Sequence, residues 1–276
     1  MAYTVPNTGL IRPWQHSKNR YIHRSFEMFA GTAASGTITI PCPGRLVAVR
    51  YGKAAATRFG ALTAATTGAL TIKAETTNGV QIFADATLGS VSGDWVPLGT
   101  TAVDEARAVT AATDAFSGGF PVRGGVFVDL ATITDGEHIV VDMLFRLCTY
   151  VKIDLIAESG ADGTGAATKT VRLGNAGVLS AVALDFQNMP ATTDVVVRAD
   201  EATTGLALFR SDNSLTDLAP SLVGRPGADE GNAATAATDG TESGNGFAQG
   251  LVVELTGADI FTSGDEKVVT ELWIDD

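Results

Sequence analysis

Thr37–Tyr51 reads TITIPCPGRLVAVRY, and Thr170–Leu184 reads TVRLGNAGVLSAVAL. Laid one on the other, their apolar positions coincide at Ile38/Val171, Ile40/Leu173, Leu46/Leu179 and Val49/Val182, and Gly44 meets Gly177. The correspondence runs on in order. LTIKAETTNGVQIF from Leu70 answers VVVRADEATTGLALF from Val195, with one extra residue in the second turn and a shared end at Phe83/Phe209. GGVFVDL from Gly124 parallels QGLVVEL from Gln249, and EHIVVDMLF from Glu137 parallels EKVVTELWI from Glu266. Between them DEARAVTAATD from Asp104 matches DEGNAATAATD from Asp229. A match spanning nearly a domain in each half predicts internal duplication. It divides the 276 residues into an arm, 1–27, and two similar domains, 28–148 and 149–276.

Within each copy, apolar and polar residues alternate over short runs (TITI, LVAVRY, LTIKAE, VQIFADA, VFVDL, HIVVDMLF), which puts one face of each strand in a core. TTNG before Val80 and TDG before Glu137 are tight-turn signals. Many short strands without a long helical pattern predict an all-β fold: two tandem β-sandwich or jelly-roll domains with an extended N-terminal arm. The two DE…TAATD stretches are assigned to loops crossing one end of each sandwich. There Asp and Thr side chains bond nearby backbone, or both loops present one surface to copies of one partner.

The net charge is −12, yet residues 1–27 carry Arg12, Lys18, Arg20 and Arg24 against Glu27 alone. The body is therefore acidic and repels nucleic-acid phosphates. In the arm, Arg12, Trp14, Arg20 and Arg24 are the expected partner contacts. Exposed ion pairs contribute about 0–1 kcal/mol each, so the cations orient and apolar residues such as Trp14 and Ile11 grip. The arm either reaches a neighbour or folds on its own body as an edge strand. No apolar run is long enough to cross a membrane, and the N-terminus lacks a signal-peptide pattern, so synthesis in a cytoplasm and a soluble product are expected.

Chemistry-bearing residues are sparse. The histidines are His16, His23 and His138; His138 aligns with Lys267 and is assigned to the surface. No His/Cys spacing suits a transition metal, and no cofactor is expected. SGADGTGAATKT from Ser159 lacks the GK[ST] ending of a phosphate loop and is assigned to a strand connection. Acidic stretches at Asp104–Asp114, Ser211–Leu218 and Thr238–Gly246 offer oxygen ligands for calcium, none at EF-hand spacing. Cys42 and Cys148 have no counterparts in the other copy. They are read as independent thiols unless the strands bring them together.

The cadence of TITIPCPGRLVAVRYGK, GALTIKAETTNGVQIFADATL and GGVFVDLATITDGEHIVVDMLF resembles the small β-sandwich or jelly-roll modules of tailed-phage capsid decoration (cement) proteins. That resemblance implies a non-enzymatic virion protein on the capsid exterior. Its partners would be the major capsid protein and its own copies in a homotrimer, with no nucleic acid, membrane or cofactor. A double-jelly-roll major capsid protein and a tail or baseplate component are the virion alternatives. From another class, a carbohydrate-binding module would need an aromatic platform, and Trp14, Trp95 and Trp273 are scattered.

Overall fold

The computed structural model describes residues 3–4, 10–11, 21–28, 33–53, 68–85, 95–98, 119–133, 138–156, 158–159, 165–173, 176–187, 193–199, 207–212, 221–222, 245–258 and 267–275. They are strands and their turns, so the all-β expectation holds. The chain divides into two compact units. Residues 13–148 form the first, and residues 149–276 together with 1–12 form the second.

Two short strands come first, β1 (Tyr3–Thr4) and β2 (Leu10–Ile11). The first unit follows with β3 (Tyr21–Met28), β4 (Ala34–Thr39), β5 (Gly44–Lys53), β6 (Ala69–Ala74), β7 (Gln81–Asp85), β8 (Val96–Pro97), β9 (Phe120–Val122), β10 (Gly125–Ala131) and β11 (Ile139–Leu147). The second continues with β12 (Thr149–Leu155), β13 (Glu158–Ser159), β14 (Gly165–Arg172), β15 (Gly177–Gln187), β16 (Asp194–Ala199), β17 (Ala207–Asp212), β18 (Ser221–Leu222), β19 (Asn245–Phe247), β20 (Gly250–Ala258) and β21 (Lys267–Asp275).

In the first unit the sheets run β3-β11-β5-β8, with β9 also on β5, and β4-β10-β6-β7. In the second they run β12-β21-β15-β18, with β19 also on β15, and β14-β20-β16-β17. Apart from β13, which pairs with β14, and the two leading strands β1 and β2, the orders among the described residues are the same. Register agrees as well: Ile38↔Val126 answers Val171↔Leu251, Ile72↔Val128 answers Val197↔Val253, and Val49↔Met143 answers Val182↔Leu272. Two of the irregularities coincide as well. Val47 bulges from β5 between Leu46↔Phe145 and Ala48↔Leu144, and Ser180 bulges from β15 between Leu179↔Ile274 and Ala181↔Trp273. Ile82 and Leu208 are the skipped residues of the β6–β7 and β16–β17 ladders. A bulge inserts one residue and so flips the alternation of faces. Leu46 and Val49, three apart, are thus both fully buried.

Each unit is a two-sheet sandwich. In the second, Val151, Ile153 and Leu155 of β12, Leu179 and Val182 of β15 and Leu272 of β21 share one core with Val171, Val195, Val197, Phe209 and Val253 of the facing sheet. In the first, the Tyr51 ring of β5 meets Phe83 of β7 edge-on at 6.2 Å between centroids. The TTNG turn closes the β6–β7 hairpin, with Ala74 N–H donating to the Val80 carbonyl at 2.8 Å. A Cβ on Gly79 would stand 1.6 Å from the Ala74 carbonyl oxygen, so only glycine fits there. Part of the glycine-rich stretch from Ser159, expected as a connection, instead lies in β14, because Gly165–Arg172 pairs with β20. The two DE…TAATD stretches and the TDG turn before Glu137 lie outside the described residues.

Thr270 breaks the pattern inside the second core. Among the described residues its buried Oγ1 has no hydrogen-bond partner, and Val141 occupies the matching register in the first unit. Burying an unpaired hydroxyl costs about 1–3 kcal/mol. Thr270→Val is therefore expected to stabilise the second unit by about 1 kcal/mol in urea unfolding; a loss of stability would show that the hydroxyl has a partner.

Candidate functional site: the open side of the first sandwich and the buried carboxylate beside it

Residues 21–27, expected as the end of an added arm without a counterpart, are a sheet strand. β3 pairs along its whole length with β11, from Tyr21↔Arg146 to Met28↔Ile139, just as β12 pairs with β21. Two ion pairs mark the equivalence. His138 Nε2 lies 3.1 Å from Glu27 Oε2 in the first unit, and Lys267 Nζ lies 2.8 Å from Asp154 Oδ2 at the same place in the second. The added segment therefore ends before Tyr21, and its described part belongs to the second unit. There Leu10 and Ile11 pair antiparallel with Val151 and Tyr150, while Tyr3 and Thr4 pair parallel with Lys169 and Thr170. One side of the second sandwich thus gains a strand on each sheet.

The register places His23, Arg24, Gly36 and Thr37 at the matching positions of the first unit. Among the described residues no further strand adds to β3 or β4. Alternation along β3 puts Arg24 on the same inward face as Met28, at the position where the second unit has the core residue Val151. The guanidinium lies across both edges. Its Nε donates to the Thr39 carbonyl at 3.2 Å, and its Nη1 donates to the His23 carbonyl at 3.2 Å. An inward-pointing charge at a sheet edge opposes the addition of another strand, because pairing would require stripping that charge of its partners.

The opposite face of β3 carries a second cluster. Asp142 of β11 is fully buried and acts as a hub. Ser25 Oγ donates to its Oδ1 at 2.6 Å, and Arg50 Nε and Nη2 donate to Oδ2 at 3.2 and 3.0 Å. His23 Nε2 stands 2.9 Å from Oδ2. Trp95 closes the group: Arg50 lies 4.5 Å from its ring centroid, and His23 meets it edge-on. Ser, His and Asp are together, but the carboxylate bridges the other two, whereas a nucleophile needs the imidazole between itself and the acid. The arrangement is an ion-pair network, satisfied by charge-assisted bonds. In the second unit Glu271 stands at the matching position, 3.9 Å from the exposed Lys152.

Two further groups fix the first sandwich. The Glu75 carboxylate, on a residue at φ 60°, accepts the Arg123 and Gly124 amides and ties the hairpin turn to the start of β10. The Tyr51 hydroxyl donates to Asp85, and burial, reinforced by that carboxylate, pushes the phenol far above its ordinary pKa. The unfolded chain ionises near pH 10 while the folded phenol stays protonated. This contribution to stability is thus present below about pH 10 and falls as pH rises further. Phenolate absorbance during alkaline titration should show one tyrosine ionising only on unfolding, and Tyr51→Phe should abolish that step.

Of the expected contact residues, Arg24 bridges the edges of its own unit, and Arg12, Trp14 and Arg20 lie outside the described residues. Cys42 and Cys148 are free thiols; Cys148 Sγ donates to the Pro43 carbonyl at 3.7 Å, and burial raises the Cys42 pKa. Sequence reasoning missed Asp142, Arg50 and Ser25. Their one signal was a charged residue in the apolar run IVVDMLF. No protein-family model matches the chain, and no curated protein matches it.

Proposed function

We infer that the chain is a structural protein of a virion, a decoration protein that binds and stiffens the major capsid lattice of a tailed phage. Two copies of one jelly-roll module, generated by internal duplication, supply its binding surfaces. The observation that carries this reading is the strand order. Counting eight main strands per unit, one sheet runs 1-8-3-6 and the other 2-7-4-5 in both units. That is the order of a jelly roll, an architecture common in viral capsids. Coincident registers and coincident bulges support the duplication. Repeated modules suit a repeated lattice, because weak contacts gain from effective concentration when several are joined. The segment ahead of Tyr21 serves as a tether, and Arg12, Trp14 and Arg20 are its proposed contacts with capsid or a neighbouring copy.

Two jelly rolls in tandem also fit a double-jelly-roll shell subunit, and one experiment separates the readings. The full chain and a chain lacking residues 1–20 are incubated alone and with empty capsids, then sedimented. Co-sedimentation with capsids, weakened by the truncation, supports the decoration reading. Closed particles formed from the chain alone support the shell subunit. The absence of both sinks the virion reading and turns attention to glycan binding, since jelly rolls also serve lectins.

A further inference from the structure

We propose that the paired edges of each sandwich form a strand-accepting side, and that Arg24 selects which unit takes the N-terminal segment. The acceptor side is seen filled in the second unit, where β12 receives Leu10–Ile11 and β14 receives Tyr3–Thr4. The same two edges exist in the first unit, with His23–Arg24 and Gly36–Thr37 in the corresponding register. The side chain at one inward position separates them. Val151 is 2 % exposed and puts no charge at this inward position of the second unit, whereas the Arg24 guanidinium binds carbonyls on both edge strands of the first.

This selection has an assembly consequence. A chain with one donor segment and one acceptor side pairs one to one, whether within a chain or by exchange between copies. With two equivalent acceptors, one side would always stay unfilled, and an open flat edge is a template for uncontrolled association. The small residues of β4, Ala34-Ser35-Gly36-Thr37, would present such an edge. The occupant assigned to the site is this chain's own N-terminal segment, and the selection does not depend on what lattice, if any, the protein decorates.

The test uses the full chain and a labelled synthetic peptide of residues 1–20. Wild type holds its own segment in the second unit and is expected to take up little peptide. Arg24→Val, which copies the second unit's residue, should bind about one equivalent by β-augmentation, at least tenfold more tightly than wild type. Arg24→Leu should behave alike, and Arg24→Lys should stay closed. A peptide carrying Thr4→Pro and Leu10→Pro, which lacks the pairing amides, should bind none of them. Circular dichroism and a cooperative melt establish that each variant is folded. Folded Arg24→Val and Arg24→Leu proteins that take up no more peptide than wild type would overturn the proposal, as would equal binding of the proline peptide.

Discussion

Replacing Asp142 with alanine is expected to destabilise the first sandwich by about 3–5 kcal/mol, which lowers the melting of that unit by roughly 10 °C or more. The size follows from burial. Asp142 is fully enclosed, and its loss removes the one carboxylate on which Arg50, Ser25 and His23 converge. Replacing Asp142 and Arg50 together by leucine and methionine is expected to recover most of the loss, since an apolar pair needs no counter-charge. Glu271, at the matching position of the second unit, is likewise buried, but it stands 3.9 Å from a Lys152 that is largely in water, so Glu271→Ala is expected to cost less than Asp142→Ala. Chemical denaturation of the variants beside the wild type decides the matter, and an equal cost at Asp142 and Glu271 would mean that the convergence of Arg50, Ser25 and His23 on Asp142 adds nothing to the stability of the first unit.

Phe83→Ala and Phe209→Ala should each cost about 3–5 kcal/mol, the usual range for emptying a phenylalanine site in a packed core. Both rings are almost wholly buried, at matching positions beside matching bulges. Each unit has its own compact set of contacts, so each substitution is expected to lower one calorimetric transition and leave the other in place. If both substitutions lowered a single common transition equally, the units would melt as one body, and the division into two independent units would lose its thermodynamic meaning.

Much of the fold was legible before any coordinates. Alternation in TITI, LTIKAE and VFVDL marked strands β4, β6 and β10, and TTNG marked a hairpin, since both signals are local. Less legible was Tyr21–Met28. YIHRSFEM holds Arg24 at an inward position, so its periodicity breaks where an apolar residue would have announced a strand. The candidate site was mostly hidden for a similar reason. Ser25, Arg50 and Asp142 stand on three strands separated by long stretches of chain, and neighbours in a sheet are chosen by pairing rather than by sequence distance.

The sequence by itself determined that this protein is made of short amphipathic strands, that its two halves share a pattern, and that its leading residues are basic against an acidic body. Those properties reside in residue type and spacing, which backbone sterics and burial convert directly into strand and face. Only the tertiary structure decided that Tyr3–Thr4 and Leu10–Ile11 join the second unit, that β3 belongs to the first, and that Arg24 lies across that unit's edge strands. A sheet edge is defined by what does not pair with it, and that is settled by the competition of all strands for partners rather than by any one of them.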